Sequence, residues 1–124
     1  MLRILIVDDN RDIAITLSML LQQLGHQTRT AFDGGQAIAT ARSFSPQVVL
    51  LDIGLPKLNG YEVCRWIRAQ EGLSKVVVIA QTGWGQEESR RKTCEAGFDY
   101  HLVKPLDPKA LLEILSDLTK EKIS

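Results

Sequence analysis

Several features that often reveal a protein's class are missing from this 124-residue chain. The formal net charge is zero, with 15 basic and 15 acidic residues, so no charge excess directs the protein to nucleic acid or an anionic membrane surface. No apolar run approaches the ~20 residues that a membrane-spanning helix needs, and no signal peptide precedes the first apolar segment. We therefore expect a cytoplasmic protein without direct nucleic-acid binding or membrane insertion.

Cysteine is also scarce. Cys64 and Cys94 fall in helix-like segments and show neither CxxC nor metal-ligand spacing. This pattern argues against a disulfide framework and predicts two buried free thiols in a reducing compartment. The apolar content of 44% is typical of one ordinary globular domain, which we assign to residues 1–124.

The chain is organised around residues 48–56, in which four apolar residues lead into Asp52 and a turn with Gly54 and Pro56 follows. An apolar run of this length before turn residues indicates a strand buried on both faces. Parallel sheets bind ligands at the carboxyl ends of their strands. We therefore expect Asp52 at the mouth of a site rather than in the core.

Four further strand-like runs alternate with helical patterns, at 4–7, 27–31, 76–80 and 100–103, and the polar run 27–31 reads as an edge strand. Predicted helix starts are marked by Asp33 with Gln36 three residues on, by Asn59 with Glu62, and by Asp107-Pro108. The first helix has apolar residues at helical spacing, with Gly25 as its stop; they are Ile13, Leu17, Leu20, Leu21 and Leu24. Strict alternation predicts an α/β fold: a doubly wound, five-stranded parallel sheet with five helices.

Four of the strand ends carry unusual polar residues, which are Asp8, Asp9, Asp52, Thr82 and Lys104. In a doubly wound sheet these ends share one edge, so the side chains should converge. Carboxylates brought that close raise one another's pKa unless a cation lies between them. Lys104 is one candidate cation, and Mg2+ is the other, because it suits carboxylate, carbonyl and water ligands.

Phosphoryl transfer fits this set, because the chemistry requires positioning and charge neutralisation. Asp52 is the predicted nucleophile. Mg2+ is expected to be held by Asp9 and Asp52 with help from Asp8. Lys104 and the Thr82 hydroxyl are expected to contact phosphoryl oxygens, and Gly83 leaves the approach open.

Ordered motifs along nearly the whole chain resemble the receiver domain of two-component response regulators. They are Val7-Asp8-Asp9-Asn10, Leu51 to Pro56, Asn59-Gly60, Thr82-Gly83 and Lys104-Pro105. The resemblance implies a CheY-like sheet in the order 2-1-3-4-5 and a bacterial phosphorelay. It also implies Mg2+-dependent phosphotransfer to Asp52 from a histidine kinase or a histidine phosphotransfer protein, slow self-dephosphorylation, and a metal site completed by the Gly54 carbonyl. No external metabolite is turned over, so the protein is not expected to be an enzyme in the usual sense.

The family couples phosphorylation to shape through Thr82 and an aromatic residue three positions before the lysine, which here is His101. Strand side chains alternate faces, so the neighbouring Tyr100 does not simply substitute for it. His101 is therefore either a switch element or a partly exposed strand-end histidine. The resemblance places the output face on the fourth helix, fifth strand and fifth helix, including Arg90, Arg91 and His101, with an unknown target protein.

Five other residues have either two open interpretations or a plain structural one. Trp84 either contacts a partner or packs over its loop, Arg90-Arg91-Lys92 is a solvated face or a partner contact, and His26 is expected at the surface. The chain ends soon after the fifth helix, so we expect no output domain.

Rival functions fit the sequence less well. An aspartyl-phosphate hydrolase typically carries its nucleophile on the first strand and a second acid two residues later. Here Asp8 and Asp9 are adjacent, which does not match that spacing. A nucleotide- or flavin-binding module requires a phosphate-binding loop after the first strand. In this chain Asp8 and Asp9 occupy that position and would repel phosphate. A pseudo-receiver is expected to lose its acids, and this chain keeps them.

Overall fold

The computed structural model describes residues 1–55, 58–82, 97–104 and 106–123. Its five strands are β1 (Arg3–Val7), β2 (Gln27–Ala31), β3 (Val48–Asp52), β4 (Val77–Thr82) and β5 (Tyr100–Val103). All neighbouring strands pair in parallel, in the order β2-β1-β3-β4-β5. The predicted sheet and its strand order are confirmed. β4 starts later than the predicted run 76–80 and continues through Thr82.

The described helices are α1 (Arg11–Gln23), α2 (Gly34–Phe44), α3 (Gly60–Ala69) and a C-terminal helix (Pro108–Ile123), with a 3-10 turn at Glu71–Leu73. The predicted fourth helix lies in residues 83–96, outside the described residues. Gly83, Trp84, Arg90, Arg91, Lys92 and Cys94 also fall there. Among the described residues, no helix has the length and hydropathy to cross a bilayer.

Side-chain caps fix where three helices begin. Asn10 Oδ1 accepts the Ile13 N–H at 3.3 Å, Asp33 Oδ1 accepts the Gln36 N–H at 2.7 Å, and Asn59 Oδ1 accepts the Glu62 N–H at 3.1 Å. Each bond satisfies one of the amides that a helix start leaves without a partner. The Asp33 and Asn59 caps confirm the sequence prediction.

Two apolar layers cover the sheet. Strand side chains alternate, so Leu5, Val49 and Val78 face α2 and α3, while Ile4, Leu50 and Ile79 face α1 and the C-terminal helix. β3 is buried along its whole length, as expected for a strand covered on both faces. The apolar pattern of α1 overstates its buried face, because Ile13 and Leu24 are exposed.

Cys64 on α3 is a buried free thiol, as predicted. Burial raises the pKa of this thiol to about 11, so it is protonated at neutral pH.

The surface prediction for His26 is wrong. The imidazole is half-buried, and its Nδ1 accepts the Leu2 N–H at 3.1 Å. Burial, followed by the charge of the N-terminal amine, lowers the pKa of His26. The ring therefore joins the end of α1 to the start of β1 in its neutral form.

Arg68, near the end of α3, links the helix to the sheet. Its guanidinium donates to the Gly97, Ser74 and Val76 carbonyls and pairs with the Asp99 carboxylate at 2.6 Å. Asp99 Oδ2 in turn accepts the Val78 N–H at 2.9 Å. One side chain thus connects the chain segments that enter β4 and β5.

Candidate functional site

The carboxyl ends of β1 and β3 bring three acids together. One carboxylate oxygen from each of Asp8, Asp9 and Asp52 lies within 4.8 Å of the others. β1 and β3 are adjacent strands, so the convergence follows directly from the sheet order. Asp9 is exposed, whereas Asp8 is 0% and Asp52 6% exposed. Asp52 is therefore more enclosed than a residue at an open mouth, because the turn after it covers the strand end.

Both oxygens of Asp52 are held by neighbours. Oδ1 accepts the Gly54 N–H at 2.9 Å, and Oδ2 accepts from Lys104 Nζ at 2.9 Å. The turn after β3 fixes one side of the carboxylate and the residue after β5 fixes the other. The plane of the Asp52 carboxylate is thus set before any ligand arrives.

Asp8 is the most deeply buried acid of the cluster. Its Oδ1 accepts the Asn10 N–H at 2.9 Å, which lets the chain turn from β1 into α1. Its Oδ2 has no hydrogen-bond partner among the described residues and lies 3.5 Å from Lys104 Nζ, a long ion pair. Burial raises the pKa of Asp8, and the charge of Asp52 adds to this rise, against the opposing effects of Asn10 and Lys104.

Lys104 supplies the positive charge within this cluster. Burial acts to lower the pKa of its ammonium, but the hydrogen bond that it donates to Asp52 and the charges of Asp52 and Asp8 outweigh burial and raise this pKa. The side chain stays cationic at neutral pH. One ammonium faces three carboxylates, so the described cluster keeps an excess of negative charge.

Thr82, at the end of β4, is buried and is engaged by β5. Its Oγ1 lies 2.7 Å from His101 Nε2. Tyr100 points to the other side of β5 and is 37% exposed, as the alternation of strand side chains predicts. The resemblance joined Thr82 and His101 as candidate switch residues, but the sequence did not predict the bond between them.

A family model for the response regulator receiver domain matches residues 4–116. The chain belongs to the receiver domain family. The predicted resemblance is confirmed, and with it the place of this chain in two-component signalling.

Known proteins similar to this receiver domain differ in length. PilH of Pseudomonas aeruginosa is 37% identical over 116 residues, covering 94% of this chain and 96% of PilH. The DNA-binding response regulator MtrA of Mycobacterium leprae is 38% identical over 110 residues, covering 89% of this chain and 48% of MtrA. The chain thus spans about half the length of the MtrA relatives.

Solved structures share its fold at comparable identity. CheY4 of Vibrio cholerae superposes with a TM-score of 0.88 at 30% identity, covering 94% of this chain and 98% of that chain. The BeF3-activated DrrB receiver domain superposes with a TM-score of 0.84 at 36% identity, covering 97% and 98%.

The acidic cluster of this receiver domain fits a hard divalent cation. Three carboxylates offer oxygens within 4.8 Å, and the Asp8 Oδ2 atom lacks a hydrogen-bond partner among the described residues. Mg2+ favours such oxygen ligands. The Gly54 carbonyl remains a predicted ligand, since the contact found for Gly54 is its N–H to Asp52.

Gln81 was missed by the sequence reasoning, which treated it only as the polar end of β4. It lies opposite Asp52 in the β3–β4 register and is 1% exposed. The available signal was its position two residues after Ile79, which places it on the same buried face of the strand.

Proposed function

We propose that this receiver domain accepts a phosphoryl group on Asp52 from the phosphohistidine of a histidine kinase or a histidine phosphotransfer protein. The observation that carries the proposal is the pairing of Asp52 Oδ2 with Lys104 Nζ at 2.9 Å inside a cluster of three acids. A structural ion pair alone does not need the two further carboxylates of Asp8 and Asp9. The free thiol of Cys64 accords with a cytoplasmic reaction.

In this proposal Asp52 is the nucleophile. A carboxylate oxygen forms a bond to phosphorus as the phosphorus–nitrogen bond of the phosphohistidine breaks, and the electron pair returns to the donor's imidazole. The Gly54 N–H and Lys104 hold the carboxylate in one orientation beforehand, which lowers the entropic cost of attack. Lys104 then pairs with a phosphoryl oxygen, since its ammonium already lies beside the reacting atoms.

The acids beside Asp52 prepare the site for the charge of the phosphoryl group. Asp9 and Asp52, with help from Asp8 and the Gly54 carbonyl, would hold Mg2+, which when bound would neutralise charge on the phosphoryl oxygens. Asp8, buried and with one oxygen unbonded among the described residues, contributes a carboxylate oxygen to the cluster. Slow loss of the phosphoryl group to water is the only other chemistry that we assign to this chain.

The response to phosphorylation is proposed to start at Thr82. Its hydroxyl lies 2.7 Å from His101 Nε2, so a move of Thr82 toward a phosphoryl oxygen lengthens or breaks that contact. The change then reaches His101 on β5, and we propose β5 as part of the output face together with the predicted fourth helix and the C-terminal helix. The target is proposed to be a protein, bound through this face.

The test is incubation of the whole chain with acetyl phosphate and Mg2+, followed by intact-mass measurement. We expect one added phosphoryl group in the unchanged protein and none in Asp52→Asn. Asp117→Asn is the matched control, because it removes an exposed carboxylate from the C-terminal helix. Undiminished labelling of Asp52→Asn would refute the assignment of Asp52.

A further inference from the structure

A cavity of about 380 Å³ lies between α1 and the segment that follows β5. Asp12, Ile13 and Thr16 of α1 line it and are exposed, whereas Leu17 and Gln81, which also line it, are buried. The cavity therefore opens to solvent along α1 and ends against the sheet. Its volume lies within the ~300–1,000 Å³ typical of small-molecule sites.

The body of a ligand in this cavity would meet apolar side chains. Ile13 and Leu17 lie one turn apart on α1, and Leu106 comes from the segment after β5. The amide atoms of Gln81 are enclosed, so they are out of reach of a ligand and only complete the buried end of the wall. Such a wall suits a short hydrocarbon chain or a single aromatic ring.

Two polar side chains of the cavity are available to a ligand. Within the described part of the chain, neither the Asp12 carboxylate nor the Thr16 hydroxyl has a hydrogen-bond or ion-pair partner. They stand four residues apart on α1, so they are neighbours on the helix surface. Both accept hydrogen bonds, and a primary ammonium carries three donors, so one ammonium group is able to bond both side chains.

The charges around the cavity sum to a negative value. Lys104 is the cation on its wall, but its ammonium is paired with Asp52 at 2.9 Å and lies 3.5 Å from Asp8. With Asp9 and Asp12 included, four carboxylates face this one ammonium. The start of α1 adds only about half a positive charge. A cation is therefore favoured over a neutral molecule, and an anion is repelled.

Arg11 does not offset this negative charge at the cavity. Its guanidinium lies 4.4 Å from the centroid of the Phe32 ring, which follows β2. β2 and β5 are the two opposite edges of the sheet, and the far wall of the cavity follows β5. The guanidinium is thus directed away from the cavity.

We propose that this cavity binds a small primary amine with a short apolar body. The ammonium donates to Asp12 and Thr16 at the open side, and the body packs against Ile13, Leu17 and Leu106. The site does not depend on phosphorylation of the chain, because none of these five residues belongs to the acid cluster or to the pair of side chains that joins β4 to β5.

The experiment compares three probes of similar size on the whole ¹⁵N-labelled chain in buffer without Mg2+. Benzylamine is the cation, benzyl alcohol the neutral analogue and benzoate the anion. We expect benzylamine to shift the amide signals of Ile13, Leu17 and Leu106 in a saturable manner. Benzyl alcohol should bind about tenfold more weakly, because it lacks the charge-assisted hydrogen bond to Asp12. Benzoate should give no saturable shifts.

Two variants, each with a matched control, locate the site. Asp12→Asn should bind benzylamine and benzyl alcohol equally, whereas Asp117→Asn, which changes an exposed carboxylate away from the cavity, should keep the preference for the amine. Ile13→Trp should fill the mouth of the cavity and abolish binding. Ile15→Trp should bind as the unchanged protein does, because Ile15 is exposed on the same helix but is absent from the cavity wall.

Four results overturn the proposal. The first is absence of saturable shifts with benzylamine, which means that water alone occupies the cavity. The second is equal affinity of the unchanged protein for benzylamine and benzyl alcohol. The third is persistence of the preference in Asp12→Asn. The fourth is equal binding of benzylamine by Ile13→Trp and Ile15→Trp, which would place the amine on the acid cluster instead. If one variant does not fold, the other decides the matter.

Discussion

Thr82 and His101 meet diagonally across the last two strands of the sheet, with Thr82 Oγ1 2.7 Å from His101 Nε2. In the register of β4 and β5, His101 stands beside Ala80 and Thr82 beside Val103, so the bond spans two positions along the strands. The hydroxyl that is proposed to contact a phosphoryl group is therefore already engaged. In the proposed function, a move of Thr82 toward Asp52 would disturb this contact and so would link the acid cluster to β5.

A double-mutant cycle measures that bond. We expect Thr82→Val and His101→Phe to show a coupling energy of about 1 kcal/mol in urea unfolding, since each change removes one member of a mostly buried pair. The cycle cancels whatever else either side chain contacts. Additive effects of the two changes would show that the bond contributes nothing to the free energy of unfolding.

Asp8→Asn is expected to stabilise the protein without Mg2+ and to weaken its response to Mg2+. The change removes a buried charge while Asn keeps an oxygen for the Asn10 N–H, so the free energy of unfolding should rise by about 1 kcal/mol. Saturating Mg2+ should then stabilise the unchanged protein more than the variant. Thermal unfolding with and without Mg2+ checks both effects, with Asp117→Asn as control. An Mg2+ response equal in both proteins counts against Asp8 as a ligand.

His26 should make stability fall in mild acid. The folded state lowers the pKa of His26 from its ordinary 6.5, so the unfolded chain binds this proton more tightly. The stabilisation is present above pH 6.5 and is lost as the pH falls through the lower folded-state value. His26→Asn keeps an acceptor for the Leu2 N–H but does not titrate. Urea unfolding at a series of pH values should give a smaller loss for this variant below pH 6.5, and equal losses would exclude His26 as the cause.

Arg68→Lys should destabilise the protein by about 2 kcal/mol, although it preserves the charge. One ammonium cannot replace the planar fork that bonds the Gly97 and Val76 carbonyls together with the Asp99 carboxylate, and the part-buried carbonyls lose a donor. Arg65→Lys is the matched control, because Arg65 is an exposed residue of the same helix. Urea unfolding of both variants tests this, and a loss no larger than that of the control contradicts it.

The sequence predicted the features that depend on local pattern. Apolar runs located β1 and β3, cap residues located the starts of α2 and α3, and the order of strand ends brought Asp8, Asp52 and Lys104 to one edge. These follow from rules that act over a few residues or from the topology of parallel sheets.

The features that the sequence did not reveal depend on distances between separate segments. The hydrogen bond of His26 to Leu2 and that of Thr82 to His101 each join residues that are far apart in the sequence. The type of one residue does not indicate which residue it will contact. That the Gln81 side chain has no hydrogen-bond partner among the described residues likewise depends on everything packed around it. The exposure of Ile13 and Leu24 could not be read from the helical spacing, because the width of an apolar stripe does not reveal how much of it the sheet covers.

The start of α3 rests directly against the end of β3. A Cβ on Gly60 would stand 2.7 Å from both the Asp52 carbonyl oxygen and the Ile53 Cα, so only glycine permits this contact. The Gly60 N–H also donates to the Ile53 carbonyl at 3.1 Å, and Asn59 caps the helix at the same point. The two ends of the loop between β3 and α3 are therefore held against each other. If a charge is added at Asp52, the start of α3 has little room to move. Displacement is left to the opposite flank, where Thr82 and Lys104 are held by side-chain bonds that can be exchanged one for another.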